Sequence, residues 1–147
     1  MNTDGKAISM VDRKAALSTL WIFVMFNFLY ADVIALFDMV YNGKPGANGG
    51  SIQFTPGTLL GVSVLMEIPI AMVVLSRVLK YRPNRWTNIV AGIGYTTVTL
   101  IVQFILPLSN GTATTYYLFF GAIEILSTLL IVWYAWKWPK TEVSAPR

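Results

Sequence analysis

Three acids stand in apolar surroundings in this sequence. Asp32 follows Leu29-Tyr30-Ala31, Glu67 lies in Leu65-Met66-Glu67-Ile68-Pro69, and Glu124 lies in Ala122-Ile123-Glu124-Ile125. Carboxylates far from any basic side chain and surrounded by hydrocarbon are costly; they must be protonated, share protons, meet water, or meet a cation or amine from outside. Two of them close together could also act as general acid and general base. The remaining chemistry is restricted. There is no cysteine, so thiolate chemistry is out of reach, and no histidine, the commonest metal ligand and proton shuttle. No metal site and no cofactor is expected, and no recognised nucleophile motif is present.

The elements that must carry these acids are long and apolar. The chain of 147 residues is 55% hydrophobic and 12% charged, against about 25% charged in a soluble domain. Four apolar runs stand out, at about 17–40, 58–79, 89–108 and 116–136. Each is near the ~20 residues that cross a ~30 Å hydrocarbon core as helix. The run at 58–79 is apolar all round, unlike the single stripe of a soluble amphipathic helix. The first run is too long for a signal-peptide core and reads as an uncleaved span. The expected fold class is therefore all-α, an integral membrane four-helix bundle. Residues 1–16 form an N-terminal segment, 17–138 the four-helix domain and 139–147 a tail that reads as disordered.

The connections are turn-rich. The loop Tyr41–Pro56 holds Asn42-Gly43, Pro45-Gly46 and Asn48-Gly49-Gly50. Thr58 is the expected N-cap of the second span. Lys80–Trp86 reads as a short basic loop. With four spans, Lys6, Arg13, Lys14, Arg77, Lys80, Arg82, Arg85, Lys137, Lys140 and Arg147 fall on one side and Lys44 alone on the other. The positive-inside rule then places both termini and the middle loop in the cytoplasm of a cell-membrane protein. Trp21, Trp86, Trp136 and Trp138 fall near that boundary, where amphipathic rings settle. The net charge of +4 is accounted for by topology and lipid contact, so no nucleic-acid partner is expected.

Depth brings the acids into register. Asp32 lies nine residues before Tyr41, Glu67 nine after Thr58, Glu124 nine after Thr115, and Thr99 nine before Leu108. At ~1.5 Å per residue each sits about 13 Å below the outer boundary. Helical spacing gives each span a candidate face. Gly92, Thr96, Thr99 and Gln103 make one stripe; Tyr117, Glu124, Ser127 and Thr128 make another. Ser63 and Glu67 are one turn apart. On the first span either Met25, Phe28, Asp32, Ala35 and Met39, or Asn27, Ala31, Ile34 and Asp38, form the inner face. Pro69 has no N–H, so the Leu65 carbonyl loses its helix partner and a kink is expected there. The spacing from Glu67 to Lys80 equals that from Glu124 to Lys137, and Thr58 and Thr115 share the same offset, a trace of two helix-pair repeats.

The blocks Leu17-Ser18-Thr19-Leu20-Trp21-Ile22-Phe23-Val24, Met66-Glu67-Ile68-Pro69-Ile70-Ala71-Met72, Leu75-Ser76-Arg77-Val78-Leu79-Lys80-Tyr81-Arg82, Asn84-Arg85-Trp86, Asn88-Ile89, Ile123-Glu124-Ile125 and Trp133-Tyr134-Ala135-Trp136-Lys137-Trp138 resemble a prokaryotic family of small four-span membrane proteins catalogued as a domain of unknown function. The resemblance covers all four spans. It implies the architecture and a prokaryotic cell membrane, and carries no activity with it.

The leading functional reading is a membrane protein that binds a small ligand or cation at the acidic layer. Glu67 and Glu124 are the principal polar contacts, Asp32 a third, and Thr99 and Gln103 neutral donors or acceptors. An oligomeric channel or proton pathway would turn the same acids toward a pore between copies of the chain. A purely structural or partner-binding bundle would use them as interhelical glue. A membrane enzyme on a lipid-like substrate is the least supported reading, since paired acids are its only signal.

Overall fold

The computed structural model describes residues 3–43 and 55–138, with side chains from residue 12 onward. The Gly/Asn-rich residues 44–54 and the tail 139–147 lie outside them. Four helices account for most of the described chain: α1 (Thr3–Asn42), α2 (Pro56–Val78), α3 (Tyr81–Ser109) and α4 (Thr115–Trp136). There is no strand among the described residues. All four helices are long and apolar enough to cross a membrane.

The helix ends have local causes. α1 starts well before the apolar run because Ala7, Arg13, Lys14, Ala15 and Ala16 are strong helix formers that let the helix continue through the polar segment. The N-cap of α2 is Thr55, not Thr58. The Thr58 N–H donates to the Thr55 hydroxyl at 3.2 Å and the Thr55 N–H to the Thr58 hydroxyl at 2.8 Å. This reciprocal box satisfies two otherwise orphaned donors. Pro56 occupies the first turn, where a missing N–H costs nothing.

The link from α2 to α3 is only Leu79-Lys80. The segment expected to be a loop up to Trp86 is the start of α3. Pro83 is the third residue of that helix, a position whose N–H has no intrahelical acceptor anyway. Near its far end α3 widens into a π-helical stretch at Leu100–Ile105, where the Leu106 N–H donates to the Ile101 carbonyl. Pro107 follows directly. It cannot donate to the Gln103 carbonyl and its ring crowds that group, and the wider turn relieves the crowding. Gly111 then ends the helix at φ 67°, a left-handed conformation that glycine adopts at low cost.

α1 packs against α2 on one side and α4 on the other, and α4 packs against α3. α2 and α3, though joined by the two-residue link, diverge from it and touch little. The main core joins Leu17, Trp21, Val24 and Phe28 of α1 to Met72, Ile89, Tyr95, Ile131 and Ala135. Tyr95 presents its ring to both Trp21 and Phe28 in edge-on contacts. A smaller cluster, Ala31, Ala35 and Tyr117, closes α1 against the start of α4. The outer surface is apolar, with Phe26, Leu36, Leu60, Val90 and Leu126 exposed, as expected of helices able to cross a bilayer.

Candidate polar site at Glu124

On α4 the residues Tyr117, Gly121, Glu124, Thr128, Ile131 and Ala135 are all buried. They follow a spacing of three and four, so they form one inward stripe. On α3 the buried stripe runs through Asn88, Gly92, Tyr95, Thr99 and Gln103. The stripes meet because two glycines remove the side chains that would hold the helices apart. A Cβ on Gly92 would lie 2.6 Å from Val132 Cγ2, and one on Gly121 would overlap the Gln103 amide oxygen and the Phe104 ring.

Glu124 is 0% exposed, and Thr99 and Gln103 are each 2% exposed. Gln103 Nε2 donates to Glu124 Oε2 at 2.6 Å. Glu124 Oε1, Gln103 Oε1 and Thr99 Oγ1 have no hydrogen-bond partner among the described residues. One turn away the Thr96 and Thr128 hydroxyls are 2.7 Å apart, and Thr128 also donates to the Glu124 carbonyl at 2.9 Å. The layer thus gathers buried oxygens and engages one side-chain donor at Glu124. Gln103 lies within the π-helical stretch, a distortion frequent at functional sites.

The other two acids are not inside this layer. Asp32 is exposed on α1, whose buried face takes Phe28 and Ala35 from one expected face, Asn27 and Ala31 from the other, and adds Val24. Asp32 remains within electrostatic reach of Tyr117 and Glu124. Glu67 is exposed, as is Ser63 one turn before it. The reason is angular. α2 buries Pro69, Met72 and Ser76, and a residue two positions from Pro69 projects about 200° away from it. Glu67 and Glu124 occupy equivalent places in the sequence offset but face opposite ways, so the suggested repeat does not extend to facing. Among the described residues no group of three or more His, Cys, Asp or Glu could hold a metal ion.

A second buried polar set lies at the end where residues 14–21 of α1, the α2–α3 link and the end of α4 meet. Asn88 Oδ1 accepts from Trp21 Nε1 at 2.7 Å and from Ser76 Oγ at 3.2 Å. Asn88 Nδ2 donates to the Asn84 carbonyl and to Asn84 Oδ1, and Asn84 Nδ2 donates to the Ser76 carbonyl at 2.6 Å. Beside it Arg77 Nε donates to the Ser18 hydroxyl, which donates to the Val73 carbonyl. Trp21 and Trp138 are buried in this end, while Trp86 and Trp136 are exposed as interfacial rings would be. Sequence reasoning missed this set. Its available signal was the i, i+4 spacing of Asn84 and Asn88 beside Ser76. Deeper in, the Tyr95 hydroxyl donates to the Leu65 carbonyl, the group that Pro69 leaves without a helical donor.

The model of a family of unknown function (DUF6326) matches residues 9–145. No curated protein and no solved structure matches the chain.

Proposed function

The chain belongs to this family of unknown function, and from the geometry of the Glu124 layer we propose that it is a multi-pass membrane protein that binds a small cation or organic ammonium ion there. The observation that carries the reading is the set of three buried oxygens at Glu124, Gln103 and Thr99 that have no partner among the described residues. Buried acceptors left unpaired cost more than paired ones gain, and a cation or ammonium supplies what the layer lacks. Glu124 provides the charge, while Gln103 and Thr99 provide neutral oxygens. Asp32 contributes from the rim through its field. Glu67 takes no direct part.

The proposed setting is a prokaryotic cell membrane with both termini cytoplasmic. The resemblance supports the former and the ten-to-one placement of Lys and Arg supports the latter. Because the chain has no cysteine, single cysteines report topology cleanly. One at Asn110 is expected to label from outside intact vesicles and one at Arg82 only from inside; the opposite pattern would reverse the orientation.

The site is tested with alkali cations and methylated ammonium ions as probes, read by thermal unfolding of the protein in detergent. A binding probe at a hundredfold excess over its Kd stabilises by about 2.7 kcal/mol. Because a proton competes with a cation for the same carboxylate, the stabilisation is expected to grow as pH rises. Glu124→Gln keeps the hydrogen-bonding capacity but cannot ionise, so it should fold and lose the response. A response that survives in Glu124→Gln would move the site elsewhere.

A further inference from the structure

We infer that the groove between α2 and α3 seats one acyl chain of an anionic phospholipid, with its headgroup held by Arg82 and Lys80. The groove is the consequence of two helices that share a two-residue link and then diverge. Leu65, Ile68 and Met72 of α2 face Trp86, Val90 and Gly94 of α3 across a space of about 610 Å³. Its walls are almost wholly apolar.

Size selects the occupant. From Trp86 to Val98 the groove runs along about 18 Å of helix, close to the ~15 Å that is one leaflet's share of a ~30 Å hydrocarbon core. Spread over that length, the volume corresponds to a cross-section of roughly 35 Å², less than half that of a 10 Å-wide helix. A flexible acyl chain fits lengthwise in such a slot, and the headgroup-level charge beside it selects a lipid over a second copy of the chain. Gly94 keeps the middle open, since nothing lies within 4 Å of a Cβ built there.

Charge selects the headgroup. Arg82 lies one turn beyond Trp86 in the same i, i+4 row that continues through Val90, Gly94 and Val98. Lys80 stands in the link at the mouth of the groove. Both are exposed, with no hydrogen-bond or ion-pair partner among the described residues. Among the described residues the other basic side chains of this end are engaged: Arg77 on Ser18, Lys14 on the Arg77 carbonyl, Arg85 on the Trp136 carbonyl and ring, Arg13 on the Tyr134 ring and Lys137 on the Trp133 ring. Two free cations at the headgroup level above an apolar slot match a phosphodiester with a net negative charge. The exposed ring of Trp86 marks the level at which headgroup gives way to chain.

The test is fluorescence quenching in phosphatidylcholine vesicles that contain either brominated phosphatidylglycerol or brominated phosphatidylcholine. The difference between wild type and Trp86→Phe isolates the signal of Trp86. Phosphatidylglycerol is expected to associate about thirtyfold more strongly than phosphatidylcholine, the combined effect of two basic residues near the surface. The preference should fall to about one in the Lys80→Gln/Arg82→Gln double variant. Gly94→Leu, whose Cβ meets nothing within 4 Å and whose side chain extends into the slot, should also lose it while unfolding at the same temperature as wild type. Equal quenching by both lipids in wild type overturns the proposal, as does a preference that survives in both variants. Quenching that disappears for both lipids as the protein-to-lipid ratio rises would show a second copy in the groove and overturn it as well.

Discussion

Two buried polar layers cross this bundle about eleven residues apart on α3, and they differ in how their hydrogen bonds close. Around Asn88 the donors and acceptors match. The indole of Trp21 and the hydroxyl of Ser76 converge on one amide oxygen, and the two asparagine amides pass their protons to Asn84 and to the Ser76 carbonyl. Three helices are tied by a set with little capacity left. Around Glu124 two helices meet, and three oxygens are left over. A saturated buried network fixes one arrangement of helices. A donor-poor one has acceptor capacity left over, which the proposed cation would take up. Polarity within a span therefore does not single out a candidate site; unpaired buried oxygens do.

The comparison is broken most forcefully at its saturated side. Asn88→Ala strands the Trp21 N–H and the Ser76 hydroxyl in the core, and each buried unpaired group costs about 1–3 kcal/mol. A loss of about 3 kcal/mol is expected in unfolding titrations in mixed micelles, with the cation response of the surviving folded fraction unchanged. A small loss would mean that the network is not structural. Next in size comes Gly121→Ala. The added methyl meets the Gln103 amide and the Phe104 ring, and overpacking of this kind costs about 1–3 kcal/mol. Here stability and cation response should fall together, because the clash displaces the side chain that holds Glu124. Unchanged cation binding in Gly121→Ala would detach Gln103 from the site.

How much of this could be read from the sequence depends on contrast within each helix. On α4 the residues Tyr117, Glu124, Ser127 and Thr128 stand out against Leu and Ile at helical spacing, and all four are buried. Thr99 and Gln103 on α3 are legible for the same reason. α2 offers no such contrast, since the run around Glu67 is apolar on every side, and nothing in it says which way the acid turns. Packing decides that, through Pro69, Met72 and Ser76. Lys80–Trp86 reads as a loop because it holds three basic residues and a proline, yet a proline in a first turn is compatible with helix. That misreading hides Asn84, and with it the network at Asn88. Trp21 reads as an interfacial ring because rings are common there; only its partner on another helix reveals it as core.

The smallest expected effect sharpens the comparison by removing an acid that belongs to neither layer. Glu67 shares its nominal depth and its apolar neighbours with Glu124, so sequence alone treats them alike. The structure separates them: Glu124 is enclosed by α3 and α4, and Glu67 is exposed on the far side of α2. Glu67→Leu removes a carboxyl from a surface of Leu60, Val64 and Val74, all exposed. A surface change of this kind alters stability by no more than about 0.5 kcal/mol. The thermal response to cations should match that of wild type, in contrast to Glu124→Gln. Both variants are measured in the same detergent at the same probe concentrations, so that only the position of the lost carboxyl differs. If Glu67→Leu removes the response and Glu124→Gln keeps it, the working acid is the one on the outside of the bundle. It would then act between copies of the chain, where an exposed mid-span carboxyl finds shelter from lipid.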